Sequence, residues 1–270
     1  VPNTSAELLR EAPGIRIQRS QGGGGSPVIR GFEANRILLV VDGVRMNNAI
    51  YRSGHLHNAI SVDPFSLSRA EVVYGPSSVG YGSDALGGVV HYFTKVPRVG
   101  DAQQWRFFIA NSYDTRHEHS INHVDITHSN DKWASLTSAS YSIFGDIYMG
   151  RKRNHGYTDW GLVSEISKNN RYFFQEQPQS NPNPNRQYNT KYDQIDLMQK
   201  LVFQPNAENK WVLNLQYSES SDIPRFDKLA ERMDDKLRYA TWFYGPQKRL
   251  LISPKYSFTT DKKWLREGVI

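Results

Sequence analysis

The residues of this chain best suited to chemistry are its histidines. His55 and His57 stand two apart in a polar, irregular stretch, MNNAIYRSGHLHNAISV, beside Tyr51 and Arg52. Residues two apart share one face of an extended chain, so both imidazoles would point the same way. A neutral imidazole is a common iron ligand, and one histidine is enough to hold haem axially. Tyr51, Arg52, His55 and His57 are therefore candidate ligand-contacting residues, His55 foremost; the plainer reading is a polar loop. His155, closing Arg151-Lys152-Arg153-Asn154-His155, is a further candidate. His117, His119 and His123 fall on one face of a strand with Asp125 beyond. Alternate strand residues stand roughly 7 Å apart, too far for all of them to hold one ion. A pair at most would bind metal, and polar residues facing an interior is the stronger reading.

No enzyme signature accompanies these groups: G-x-S-x-G and H-E-x-x-H are absent. Gly22 to Gly25 suggest a phosphate cradle, but no Gly-Lys-Ser/Thr follows, so the run reads as a flexible loop. Gly80 to Ala85 fits a loose GxGxxA pattern with no βαβ unit around it. The lack of cysteine removes disulfides, thiolate metal sites and thiol catalysis together. A net charge of +6 without a block of basic residues argues against nucleic acid. Neither catalysis nor a resident cofactor is expected.

The elements that position these residues change character near residue 98. Before it, Thr4 or Ser5 caps a short helix through Arg10 that Pro13-Gly14 ends, and Ile15 and Ile17 begin a short strand. Arg36 to Val44 contains a five-residue apolar run closed by Asp42-Gly43, the pattern of a strand buried on both faces. Ala70 to Val73 reads as a strand, Tyr74-Gly75-Pro76 as a turn, and Gly87-Gly88 opens a second strand, Val89 to Phe93.

Beyond residue 98 the periodicity predicts six strands: Trp105–Ser112, Glu118–His128, Lys132–Phe144, Tyr192–Phe203, Lys210–Ser220 and Gln247–Thr259. Ile195, Leu197, Leu201 and Phe203 oppose Asp196, Met198 and Lys200, and the two strands after them alternate likewise. That is the pattern of a transmembrane barrel, apolar outside and polar inside, although a β-sandwich alternates too. Short turns at Ser129-Asn130-Asp131 and 205–209 alternate with long connections at 145–191 and 221–246, as in outer-membrane barrels. The first long loop carries Asn181-Pro182-Asn183-Pro184-Asn185, expected to be irregular surface chain; the second is expected to hold a short helix around Asp227 to Leu237. With 38% hydrophobic residues and a mean hydropathy of −0.62, no helix spans a membrane, but tilted strands average out in hydropathy. No signal-peptide pattern is visible, and the chain reads as a fragment.

The stretch AEVVYGPSSVGYGSDALGGVVHYFTK resembles the end of the plug domain of TonB-dependent outer-membrane receptors, with Tyr74 where that family usually has arginine. Leu8 to Ile15, Val28 to Phe32 and Arg36 to Val44 are similar to earlier plug motifs. The resemblance implies a plug, a small α+β domain with a mixed sheet, over residues 1–97. The first part of an antiparallel transmembrane β-barrel of 22 strands would follow over 98–270. It implies structural roles at the plug–barrel boundary for Arg30, Arg36, Asp42, Gly75, Pro76, Tyr81, Gly82, Gly87 and Gly88. It also implies the outer membrane of a Gram-negative bacterium, lipid around the barrel, and the TonB protein of the TonB-ExbB-ExbD complex as partner, through a box this chain lacks. DIPRFDKL and WFYGPQKRLL resemble a subgroup that takes haem or haemoproteins, and haem receptors of the family carry an Asn-Pro-Asn-Leu motif in the barrel. Haem as transported ligand is therefore expected first, then ferric siderophore or cobalamin. The reading from another class is a soluble β-rich binding or adhesion protein, which would show no lipid-facing apolar band.

Overall fold

The computed structural model describes residues 2–18, 22–33, 36–46, 59–82, 84–262 and 265–270. Thr4 caps the first helix, α1 (Ser5–Leu8), its hydroxyl accepting from the Glu7 N–H at 3.2 Å. The helix tightens into a 3₁₀ turn over Leu9–Glu11 rather than running on to Arg10 as α-helix. After Pro13-Gly14, β1 (Ile15–Gln18) pairs antiparallel with β2 (Ser26–Ile29).

A four-stranded mixed sheet forms the centre of this part. Its members are β3 (Ile37–Val41), β4 (Val44–Arg45), β5 (Leu67–Val73) and β6 (Gly88–Thr94), in the order β4-β3-β6-β5. Only β3 and β6 run parallel. All five residues of β3 are buried, as its unbroken apolar run predicts. Asp42 and Gly43, with φ of 50° and 91°, make the two-residue turn between β3 and β4. Both being left-handed is the requirement of a type I′ hairpin, which Asp-Gly meets at least cost. Gly88 has φ 140°, and a Cβ there would stand 2.9 Å from the Val73 carbonyl oxygen, so only glycine lets β6 start against β5. At Gly87 a Cβ would meet the Phe32 side chain.

The remainder is one antiparallel wall. Its strands are β7 (Gln104–Asp114), β8 (His119–Ser129), β9 (Trp133–Phe144), β10 (Tyr192–Phe203), β11 (Asn209–Ser220), β12 (Lys248–Lys262) and β13 (Leu265–Val269), hydrogen-bonded in chain order. The six expected strands are present within a few residues, and β13 is a short seventh. Ile195, Leu197, Leu201, Leu250 and Ile252 lie exposed on the outer face, while His123, Ser140, Asp196, Lys200, Asn214 and Gln216 are buried on the inner one. At the end with the short turns, Trp133, Phe203, Trp211 and Tyr256 sit at the same level in four successive strands. Trp133 stacks on Phe203 at 4.3 Å and Trp211 on Tyr256 at 4.1 Å. An outward apolar band edged by aromatics is what a lipid-facing wall carries, and it removes the main argument for a soluble sandwich.

The long connections are folded rather than irregular. The first contains two small ladders, Ile147–Tyr148 with Arg186–Gln187 and Glu165–Ile166 with Gln179–Ser180. The Asn-Pro run is a strap of side-chain turns. Asn181 is buried; its amide donates to the carbonyls of Val163 (2.7 Å) and Arg186 (3.0 Å), and its oxygen accepts from the Asn183 N–H (2.9 Å). In the second connection the expected helix shrinks to one turn, α2 (Phe226–Leu229), followed by a hairpin of Arg232–Met233 with Lys236–Leu237. Asp234 and Asp235 take positive φ (50° and 60°) at that hairpin's turn, which stops a helix there.

Candidate functional site

Asp42 is where the small domain meets the wall. The turn that makes its φ positive also turns its carboxylate toward the inner face of β10 and β11. Oδ2 accepts from Lys200 Nζ (3.0 Å), Asn214 Nδ2 (2.8 Å), Gln216 Nε2 (3.1 Å) and Thr94 Oγ1 (2.5 Å). Oδ1 accepts from the Thr94 N–H at 2.9 Å. Burial alone would raise this carboxyl's pKa; the Lys200 ammonium and the two Thr94 donors outweigh it and hold Asp42 below the usual carboxylate value. Lys200 is 2% exposed, so Asp42 is its compensation as well.

A second polar chain joins the domain to the wall. Asp63 opens the 3₁₀ turn Pro64–Ser66, its Oδ1 accepting from the Phe65 N–H at 2.9 Å. Its Oδ2 accepts from Ser140 Oγ of β9 at 2.6 Å, and Ser140 Oγ lies 2.7 Å from His123 Nδ1 of β8. His123 Nε2 is 3.0 Å from Asp125 Oδ1, and Lys95 Nζ reaches Asp125 Oδ2 at 2.5 Å. Burial raises the Asp63 carboxyl, and the hydrogen bonds from Ser140 and Phe65 offset that only in part. His123 and Asp125 therefore serve as inward-facing polar residues, while His117 turns to Asp114, with Nδ1 2.6 Å from its Oδ2.

The glycine run is not a flexible loop. Gly23 to Gly25 are buried, and a Cβ at Gly22 would stand 2.6 Å from the Thr190 carbonyl oxygen, one at Gly23 2.5 Å from Ile223 Cδ1. The run lets backbone lie directly on the bases of the two long connections, which composition alone does not reveal. Ile60 packs there too, against Phe144, Tyr192 and Ile223.

The other expected residues are dispersed. Arg30 is exposed over the Tyr74 ring at 5.2 Å, and Arg36 is exposed, giving its carbonyl to the Gly87 N–H at 2.7 Å. Among the described residues neither pairs with the wall, so of the three expected charges Asp42 alone is seen there. Tyr74, in the place of the usual arginine, donates to the Pro13 carbonyl at 2.6 Å and ties the end of the N-terminal helical turns to β5. Gly75 and Pro76 begin the 3₁₀ segment Gly75–Tyr81, and Gly82 follows it with φ 89°. Tyr81 Oη lies 3.2 Å from His91 Nδ1. His91 Nε2 accepts from the Gly43 N–H at 3.1 Å, so the ring's proton sits on Nδ1, facing Tyr81. Tyr51, Arg52, His55 and His57 lie outside the described residues. His155 is exposed in the first long connection, beside Tyr157 and Trp160 at 5.6 and 5.9 Å.

Lys200, Asn214, Gln216, Asp63 and Ser140 did not stand out in the sequence as site residues. Their signal is only a polar residue on the inward alternation of a strand, or an Asp-Pro dipeptide.

Residues 2–89 match the TonB-dependent Receptor Plug Domain. A hemin receptor of Yersinia pestis is 41% identical over 92 residues, 34% of this chain and 13% of that protein. The vitamin B12 transporter BtuB of Vibrio vulnificus is 29% identical over 157 residues, 57% of this chain and 23% of that protein. The chain thus spans less than a quarter of the length of these relatives. Among solved structures, the copper transporter OprC superposes with a TM-score of 0.66 at 14% identity, over 97% of this chain and 34% of that one. The ferric enterobactin receptor PfeA in its complex with BCV-L6 superposes with a TM-score of 0.59 at 14% identity, over 99% of this chain and 37% of that one. Identities this low speak to the fold alone: residues 2–89 match a TonB-dependent receptor plug domain and sit on the inner face of an antiparallel strand wall with the fold of the superposed barrels.

Proposed function

We propose that the chain is part of an outer-membrane receptor that takes up an iron-containing ligand, haem or a haemoprotein, by TonB-dependent transport. The division is a plug over 1–97 and barrel over 98–270. The observation that carries the transport reading is Asp42: a plug residue bonded to Lys200, Asn214 and Gln216 on the inner face of a wall whose outer face is apolar. Such a plug blocks a lumen and has to yield for a ligand to pass. Energy would come from the TonB protein. The ligand assignment rests on the hemin-receptor relatives and on His55 and His57, with Tyr51, Arg52 and His155 as further contacts.

The test is titration of the full-length receptor in detergent with haemin and haemoglobin, following the haem absorption band, beside His55→Ala. Saturable binding weakened in the variant supports haem with His55 at or near the iron. Binding unchanged by the variant keeps haem and discards His55. No binding of either ligand removes haem and favours the second reading, a cobalamin or ferric-siderophore receptor, which the vitamin B12 transporter relative and the enterobactin-receptor fold support.

A further inference from the structure

The two long connections frame a site to which no histidine among the described residues belongs. A cavity of about 600 Å³ lies between them, walled by Met149, Leu162, Val163, Phe226, Leu229 and Leu237. Contacts from one connection to the other brace its walls. Arg232 pairs with Glu165, Lys236 Nζ lies 2.7 Å from Glu176 Oε2, and the Leu237 N–H donates to the Glu176 carbonyl at 2.7 Å. A largely apolar chamber of this size with a few polar groups at its rim is the usual form of a small-molecule site.

Met149 also lines a neighbouring cleft of about 670 Å³, whose other walls include Tyr148, Asn183, Arg116, Arg151 and Lys152. The cleft's one acid, Glu118, is taken by Arg186 at 3.3 Å. Arg153 spends its guanidinium on the loop, donating to Trp160 O (3.1 Å), Arg151 O (3.2 Å) and Asn185 Oδ1 (2.9 Å). Arg116, Arg151 and Lys152, by contrast, form no ion pair among the described residues and are exposed. Three cations without an anion, beside an apolar chamber, are complementary to one kind of molecule: a broad apolar body with anionic groups along one edge.

We infer that the chamber and the cleft together form a binding site for a tetrapyrrole dicarboxylate, the ring entering among Met149, Leu162 and Phe226 and the carboxylates meeting Arg116, Arg151 and Lys152. This rests on the haem reading and deepens it. The site recognises ring and carboxylates, and among the described residues no histidine lines it, so it takes the metal-free molecule as well as the iron complex.

The probe is metal-free protoporphyrin IX, added to the full-length receptor in detergent and followed by its fluorescence, with its dimethyl ester as the uncharged partner. The acid binds and the ester binds at least about tenfold more weakly, one lost charge-assisted bond being enough for that. Arg151→Glu with Lys152→Glu, both exposed and free of structural bonds from their charged groups, weakens the acid by a further tenfold or more and leaves the ester unchanged. Leu162→Trp, which crowds the chamber where the ring enters, weakens acid and ester alike. Equal binding of acid and ester, or an unmoved double variant, overturns the site. Haemin binding without protoporphyrin binding overturns the site and leaves the haem reading standing; binding of neither removes both.

Discussion

Replacing Asp42 by Asn keeps the size of the side chain and removes the charge that Lys200 is buried against. The ammonium is 2% exposed, and Asp42 Oδ2 at 3.0 Å is the one carboxylate it meets among the described residues. Leaving one member of a buried pair uncompensated costs about 3–5 kcal/mol. The same principle makes removal of both members nearly neutral when the replacements pack well. Asp42→Asn and Lys200→Met are therefore each expected to destabilise the seated plug by about 3 kcal/mol, and the double variant by no more than about 2. A coupling of at least about 4 kcal/mol follows. The assay is pulse proteolysis of the plug in the full-length receptor across a urea series, which reads the plug's own transition. The pH dependence has a definite sign. Asp42 titrates below its ordinary 3.8, so its contribution is fully present above that value and is lost as pH falls through the lower, folded pKa. The gap between wild type and Asp42→Asn should therefore narrow as pH falls below 3.8. Additive single variants, or an Asp42→Asn shift under about 0.5 kcal/mol, would refute the claim that this pair seats the plug.

Three shorter predictions follow from the plug. Gly22→Ala drives a Cβ to 2.6 Å from a backbone oxygen at Thr190, whereas Gly80→Ala meets nothing within 4 Å; the first should loosen the plug by about 1–3 kcal/mol in the same proteolysis assay and the second leave it within about 0.5. His91 is held neutral, its pKa lowered by burial, with Nε2 accepting from the Gly43 N–H. A base with a lowered folded pKa stabilises above its ordinary value of 6.5 and loses that contribution as pH falls below it, so urea midpoints should drop from pH 7 to 5 in the wild type and drop less in His91→Gln. Gly88→Ala, strained at φ 140° and pressed on the Val73 carbonyl, should cost about 1–3 kcal/mol of plug stability, read by urea melts.

Much of the scaffold was legible because it follows local rules. The β3 run could only be a doubly buried strand, Asp42-Gly43 could only turn, and the alternation in β10 to β12 placed Lys200 and Asn214 inward before any partner was known. What could not be read was who meets whom. Lys200 lies 158 residues after Asp42, and nothing near either residue encodes the other. Gly22 to Gly25 looked flexible because glycine permits both mobility and close packing, and only the presence of Thr190 and Ile223 decides between them. Arg30 and Arg36 had the charge for the wall without the position, since each lies on an exposed part of the plug surface.

The composition of the seat bears on how a plug could yield. Beside apolar and ring contacts at Leu251, the Ile60 cluster, Gly23 on Ile223, Phe65 stacked on His123 and Lys95 over Phe108, the described contacts of plug with wall include many hydrogen bonds and ion pairs: Asp42 with three wall residues, Asp63 with Ser140, Lys95 with Asp125, Gln194 Nε2 to the Ile60 carbonyl at 3.0 Å, Arg249 Nε to the Ser61 carbonyl at 3.0 Å. A hydrogen bond exchanged for one to water loses only about 0.5–1.5 kcal/mol net, whereas an apolar interface pulled into water loses energy in proportion to its whole area. A polar seat is therefore specific in register yet separable once water enters between plug and wall. The Lys200 ammonium and the Asp42 carboxylate regain their hydration when water enters, which offsets the attraction lost as the pair separates. On the transport reading, Lys200→Met paired with Asp42→Asn, which tolerates the left-handed turn and removes both charges, should slow ligand uptake by whole cells while leaving ligand binding intact; uptake at the wild-type rate would show that the seat's charges have no part in release.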